Sequence, residues 1–337
     1  MCEYSSVDGF ANDWHLVHLG SRAVGGAALV FTEAIAVTPE GRISPSDLGI
    51  WKDEHIAMLA RIARFCGERG ALWGTQLAHA GRKGSTKPPW EGDGAVESGG
   101  WTPVAPSAEP FSATYPVPEA LDEAGIARII AAFAAAARRT LEAGGSVVEI
   151  HGAHGYLIHQ FLSPLINHRS DRWGGSFENR TRFARETVRA IRTVWPERLP
   201  LFVRLSATDW APGGWDIEET VALARLLQAD GADLIDASSG GAVPLPRNTI
   251  PVGPLYQTPF AERIRNEAGI LTGAVGMIAE PADAEAIVAN GRADVVFLAR
   301  ELLRDPYWPL YAARTLQAEI AWPKQYQRAV GERATMH

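Results

Sequence analysis

Cysteine is scarce. Of 337 residues only Cys2 and Cys66 carry a thiol, too few for a disulfide framework, and the expected compartment is a reducing cytoplasm. Long apolar runs are missing too: the longest, residues 129–137, is closed by Arg128 and Arg138 and spans about half of what a membrane helix needs. Positive charge is not in excess. With 32 Lys and Arg against 39 Asp and Glu the net charge is −7, which supplies no broad footprint for nucleic acid or an anionic membrane. Residues 1–6 have neither a basic start nor an apolar core, so no signal peptide is expected. The chain has no G-x-x-x-x-G-K-[ST], no G-x-G-x-x-G after a strand and no G-x-S-x-G. A nicotinamide cofactor would therefore act as a diffusible substrate, and serine-hydrolase chemistry is unsupported.

What is present is ordinary globular composition, 46% hydrophobic and 21% charged, arranged as an alternation. Short, nearly continuous apolar runs at 28–33, 72–77, 147–151, 201–205, 234–237, 270–274 and 295–298 suit parallel strands covered on both faces. Between them lie amphipathic segments. Residues 122–142 place Ile126, Ile129, Ile130, Phe133, Ala137 and Leu141 on one helical face, with Gly144 and Gly145 where a left-handed cap would form. Asp216 and Glu219 suggest a reciprocal capping pair opening another helix. Polar and Gly-rich residues cluster after many strand ends, at His79, His151, Arg204, Ser238, Gly276 and Arg300. Many strands feeding one mouth argues for a (β/α)8 TIM barrel, not an open doubly wound sheet. Seven strands are countable, and the eighth is expected to precede residue 1. The whole chain, 1–337, reads as a single barrel, interrupted at 81–118 by a Gly-, Pro-, Ser- and Trp-rich stretch whose length suggests a lid or binding loop.

The densest polar constellation is Glu149-Ile-His151-Gly-Ala-His154-Gly-Tyr156. Two imidazoles at a strand end could hold the oxygen of a carbonyl or nitro group, and a tyrosine two residues on could deliver a proton. Zinc competes on spacing alone, but no cysteine is near and the third ligand would have to be Glu149, read as facing the other way. Gln76 and Arg204 stand on otherwise apolar strands and need partners; an ion pair to Glu33 or Asp236 would satisfy Arg204, and a bound polar ring system would explain both. Gly276 and the Ala299-Arg300 helix start could form an anion site where barrels recurrently bind phosphate.

Cys2-Glu-Tyr4, Thr32-Glu-Ala34, the run from Gln76 to Lys83, His151-Gly-Ala-His-Gly-Tyr156, Phe161-Leu-Ser-Pro164 with Asn167-His-Arg169, and Gly174-Gly-Ser-Phe-Glu-Asn-Arg180 together resemble the Old Yellow Enzyme family. The likeness is strongest to its xenobiotic reductase A-like and thermophilic-like bacterial ene-reductases, and it runs from Met1 to Arg328.

The resemblance implies a barrel holding non-covalent FMN, reduced by NADPH or NADH, that passes hydride from flavin N5 to an activated alkene in a ping-pong cycle. It implies His151 and His154 on the substrate oxygen, Tyr156 as proton donor, Tyr4 as a further substrate contact, and Cys2 beside N5 as a redox-tuning thiol. Met1, Cys2, Ala34, Gln76 and Arg204 would touch the isoalloxazine, and Gly276, Ala299 and Arg300 the phosphate, with Ala299 standing where a glycine is common. Lys83 matches less firmly. Arg328 would reach a neighbouring subunit's site in a homodimer or homotetramer. No metal is expected. Family members carry one more strand before Cys2, and a start assigned too late would account for its absence. Two rivals remain: another flavin-barrel reductase of the dienoyl-CoA reductase type, and a truncated, flavin-free binding or assembly protein.

Overall fold

All seven apolar runs are strands in the computed structural model, which describes residues 1–246 and 248–330. In chain order the strands are β1 (Leu29–Ala36), β2 (Leu72–Ala78), β3 (Val104–Ala105), β4 (Glu119–Ala120), β5 (Val147–Gly152), β6 (Leu201–Ser206), β7 (Leu234–Ser238), β8 (Leu271–Val275) and β9 (Val295–Phe297). Seven of them form one all-parallel sheet in the order β1-β2-β5-β6-β7-β8-β9. Sequential neighbours joined through helices are what right-handed βα crossovers produce. The sheet curls on itself: Phe31 of β1 meets Phe297 of β9 at 6.1 Å between ring centroids, and both rings meet Phe202 of β6. Gly273 makes this closure possible, because a Cβ there would stand 2.3 Å from the Phe297 ring. β1 and β9 share no ladder, so this is a TIM-type barrel with seven strands among the described residues.

Helices α1 (Asp13–Val24), α2 (Ile56–Glu68), α3 (Glu123–Glu142), α4 (Leu157–Leu162), α5 (Phe177–Arg192), α6 (Ile217–Asp230), α7 (Thr258–Ala268), α8 (Pro281–Ala289), α9 (Arg300–Arg304) and α10 (Trp308–Thr315) accompany the strands. Their apolar faces pack on the outside of the sheet, burying Leu59, Ile62, Phe133, Phe161, Phe183 and Leu227 completely. α3 begins as the sequence suggests: Asp122 accepts the Gly125 N–H at 2.7 Å, and the chain leaves through Gly144 at φ +86°. The Asp216 cap is present, but the reciprocal half is not. Asp216 accepts the Glu219 N–H at 2.9 Å, while the Glu219 carboxylate turns to the guanidinium of Arg180 on α5. A charge-assisted contact between helices outweighs a bond to one backbone N–H.

No helix among the described residues is long and apolar enough to cross a membrane. The stretch 81–118 is ordered by short pieces, the 3-10 turns Gly81–Lys83 and Pro89–Glu91 and the parallel pair β3 and β4.

Candidate active site

The site grows from the end of β5. Residues two apart on a strand share a face, so Glu149 and His151 lie on the same side of β5, contrary to the expectation that Glu149 faces away. Glu149 accepts the Gln76 amide N–H at 2.6 Å across the β2–β5 ladder. Its place is the barrel interior, beside Arg204, which pairs in register with His151 and Asp236. Asp236, not Glu33, is the ion partner of Arg204, at 3.2 Å. Glu33 is taken by the N-terminal segment: its Oε2 accepts the Glu3 N–H at 2.8 Å and its Oε1 lies 3.3 Å from His15 Nε2. That pairing ties residues 1–6 to the end of β1 and so places Cys2 and Tyr4.

Beyond β5 the chain turns through His154 (φ +57°) and Gly155 (φ +73°). His151 Nδ1 accepts the Ala153 N–H at 3.2 Å, which leaves the ring proton on Nε2. That nitrogen faces His154 Nδ1 at 3.3 Å, and His154 Nε2 lies 2.7 Å from the Ser238 hydroxyl. Ser238 therefore selects the His154 tautomer. When its O–H donates to Nε2, Nδ1 carries the proton, and two N–H groups converge on one point; when it accepts, His154 Nδ1 accepts from His151 instead. Burial first, and the Arg204 charge second, hold both imidazoles well below the usual histidine range, so they remain neutral donors. Tyr156 stands edge-on to His151 at 4.9 Å, and burial keeps its phenol protonated.

The remaining residues take these places. Burial, then the charges of Asp47 and Glu33, raise the Cys2 thiol, so it is no thiolate nucleophile. Tyr4 adopts φ +47° and packs edge-on against Trp90 of the 81–118 stretch at 5.5 Å. Ala34 pairs in register with Gln76. Gly276 has φ +119°, Ala299 has φ −113°, where a methyl group is accommodated, and Arg300 opens α9 on the exposed side. Met1 is largely exposed. Arg328 lies exposed in the turn Lys324–Ala329, whose Tyr326 hydroxyl meets Tyr307 at 3.4 Å.

Further residues support the loop after β5. Lys83 donates to the carbonyls of His154 (2.8 Å) and Gly241 (2.6 Å) and lies over the ring of Phe111 at 4.2 Å; burial pulls its amine down to about 7. Asp47 accepts from Ile43 N, Ser44 N and Ser44 Oγ and is pushed up to about 7 by desolvation. Ser206 Oγ accepts the His154 N–H at 2.9 Å. Ser238 stands out in the sequence only as a polar strand end and Ser206 not at all; the strand order brings both under His154.

The polar lining suits a flavin: an amide (Gln76), a guanidinium (Arg204), and the buried carboxyl oxygens Glu149 Oε2 and Asp236 Oδ1, which have no hydrogen-bond partner. The profile of the NADH:flavin oxidoreductase / NADH oxidase family matches residues 1–319. The chain belongs to this family. It is an FMN-dependent oxidoreductase of the Old Yellow Enzyme type, as its motifs imply. Similar proteins include an NADPH dehydrogenase of Geobacillus sp. (strain WCH70), 51% identical over 97% of this chain and 92% of the relative. An NADPH dehydrogenase of Bacillus subtilis (strain 168) is 47% identical over the same shares. Among solved structures, morphinone reductase superposes with a TM-score of 0.77 at 26% identity, over 96% of this chain and 86% of that one. A 2-naphthoyl-CoA reductase superposes with a TM-score of 0.82 at 28% identity, and this chain spans 49% of its length.

Proposed function

We propose that this enzyme is an NADPH-consuming ene-reductase that saturates the activated C=C bond of α,β-unsaturated carbonyl or nitro compounds. The observation that carries the reading is the facing pair His151 Nε2 and His154 Nδ1, 3.3 Å apart with Tyr156 alongside. A substrate oxygen seated between the two nitrogens accepts both N–H groups, and those bonds strengthen as enolate charge develops. Tyr156, protonated at any working pH, holds the proton that the α-carbon requires. Tyr4, bound to the Trp90 edge, closes the other side of the substrate space, with Cys2 as a thiol beside it. FMN, when bound, accepts hydride from the nicotinamide and donates hydride to the alkene. Met1, Cys2, Ala34, Gln76 and Arg204 would hold its ring and Gly276, Ala299 and Arg300 its phosphate, Arg204 bringing positive charge to the electron-rich ring edge. The 81–118 stretch acts as the lid. Arg328, exposed on its turn, completes a neighbouring subunit's site in a homo-oligomer, and two free thiols suit the cytoplasm.

The test is spectroscopic. The purified protein carries yellow FMN that bleaches anaerobically with NADPH and returns on adding 2-cyclohexenone. Tyr156→Phe slows the return by about 10²-fold and leaves bleaching unchanged. A protein that takes up no FMN would overturn the assignment, and equal slowing of both half-reactions would remove Tyr156 from the donor role.

A further inference from the structure

Beneath the two histidines the barrel interior carries more charge than the ene-reductase reading uses. A polar layer crosses β2, β5, β6 and β7: Gln76 pairs with Glu149, and Arg204, opposite His151, pairs with Asp236. It rests on an apolar plug of Phe31, Phe202 and Phe297 with Val147 and Leu234. Glu149 is 2% exposed and Asp236 1%. Two buried carboxyl groups thus share one guanidinium, and the division is uneven. Arg204 Nε pairs with Asp236, whereas Glu149 receives only the Gln76 amide, and its Oε2 has no partner.

A buried carboxylate without a counter-ion is too costly to persist, so it takes a proton. Desolvation first, and the Asp236 charge second, push Glu149 up to about 8. In the structure the Gln76 amide donates through Nε2 to Glu149 Oε1 at 2.6 Å. Nε2 is committed to Glu149, so the amide oxygen is directed away from that acid.

We propose that Glu149 is a positioning residue of the flavin site, a neutral acid that orients the Gln76 amide and leaves the Arg204 charge undivided for the bound isoalloxazine. This rests on the assignment of Gln76 and Arg204 to FMN made above. Glu149 touches Gln76 from β2 and feels the charges of Asp236 from β7, Arg204 from β6 and the α-amino group of Met1, with His151 further along its own strand. Ionising Glu149 places a second negative charge against Arg204, beside the electron-rich edge of the ring. FMN binding therefore weakens as pH rises through the Glu149 titration.

FMN affinity is measured by fluorescence quenching on the full-length protein stripped of flavin, from pH 7 to 9, for the wild type and Glu149→Gln. The amide still accepts from Gln76 and cannot ionise. Wild-type affinity falls about fivefold or more over this range, by the linkage between ligand binding and protonation, and the variant's stays within about twofold. Infrared spectroscopy of the FMN-loaded protein at pH 7 shows a protonated-carboxyl band that is lost in Glu149→Gln and kept in Asp47→Asn; its persistence in Asp47→Asn decides the matter if Glu149→Gln folds poorly. Parallel pH slopes in the two proteins, or a wild type lacking the band, overturn the proposal while the flavin site stands. A wild type that takes up no FMN at any pH overturns the flavin assignment itself.

Discussion

Ser238 controls the chemistry of a neighbour it never resembles in sequence. Its hydroxyl can donate to His154 Nε2 at 2.7 Å or to Gln257 Oε1 at 3.4 Å, and the first choice puts the His154 proton on Nδ1, toward the position proposed for the substrate oxygen. Ser238→Ala removes that choice. Affinity for a phenol, titrated through the flavin spectrum, falls about two- to tenfold, the worth of one hydrogen bond, while FMN stays bound; unchanged affinity would mean the tautomer is set elsewhere. His151, His154 and Tyr156 were legible because they sit within six residues on one strand end. Ser238 and Ser206 act on the same ring and loop from other strands, and Lys83 from the turn Gly81–Lys83. Their contribution depends on barrel closure, which no local pattern encodes. Glu149 was misread for a different reason: the period of two puts it on the face of His151, and strand parity alone would have corrected the reading.

At the scale of the element, the loop after β5 is held from both ends. His159 Nδ1 accepts the Gly155 N–H at 2.9 Å, and Gln160 donates to the Gly155 carbonyl at 2.7 Å. His159 is in turn fixed by Asp209 at 2.8 Å, a carboxyl that burial raises but that His159 and its other hydrogen bonds bring below its ordinary value. Gly155 also presses on the loop after β7, where an added Cβ would stand 1.9 Å from the Gly241 carbonyl oxygen. Two backbones in contact explain why both positions are glycine, each with positive φ. Gly155→Ala combines that clash with a left-handed backbone, and it destabilises by more than about 4 kcal/mol or fails to fold. Urea unfolding measures this, and a loss near 1 kcal/mol would show that the loops separate easily. Strands were readable at this scale because buried parallel strands are continuous apolar runs. Helix α1 was not: its outer face exposes Trp14 and Val17, so its apolar residues follow no clean stripe. The two-residue strands β3 and β4 are too short to carry any period.

For the whole molecule, the balance of buried ionisable groups sets how stability follows pH. His18 and His79 are held at about 4, His151 and His154 well below their usual range, and His55 is also lowered, in each case first by burial. Unfolded histidines take up protons near pH 6.5, so between 6.5 and 4 the unfolded chain gains protons that the folded chain refuses, and stability falls with pH. The acids act oppositely. Burial raises Asp47 to about 7 and Glu149 to about 8, and raises Asp236, so the folded state gains protons first and their contribution is lost as pH rises toward 8. Lys83, lowered from 10.5 to about 7, regains stability only as pH climbs through that interval. Five histidines oppose three acids below pH 6, so flavin-free protein is most stable between about pH 6 and 8. It loses on the order of 2 kcal/mol between pH 6 and 5. Urea midpoints across this range test the sign, and Glu149→Gln, which leaves five histidines against two acids, should steepen the loss between pH 6 and 5. A midpoint that rises steadily from pH 6 to 5 would mean that the buried acids, not the histidines, govern the fold's proton balance.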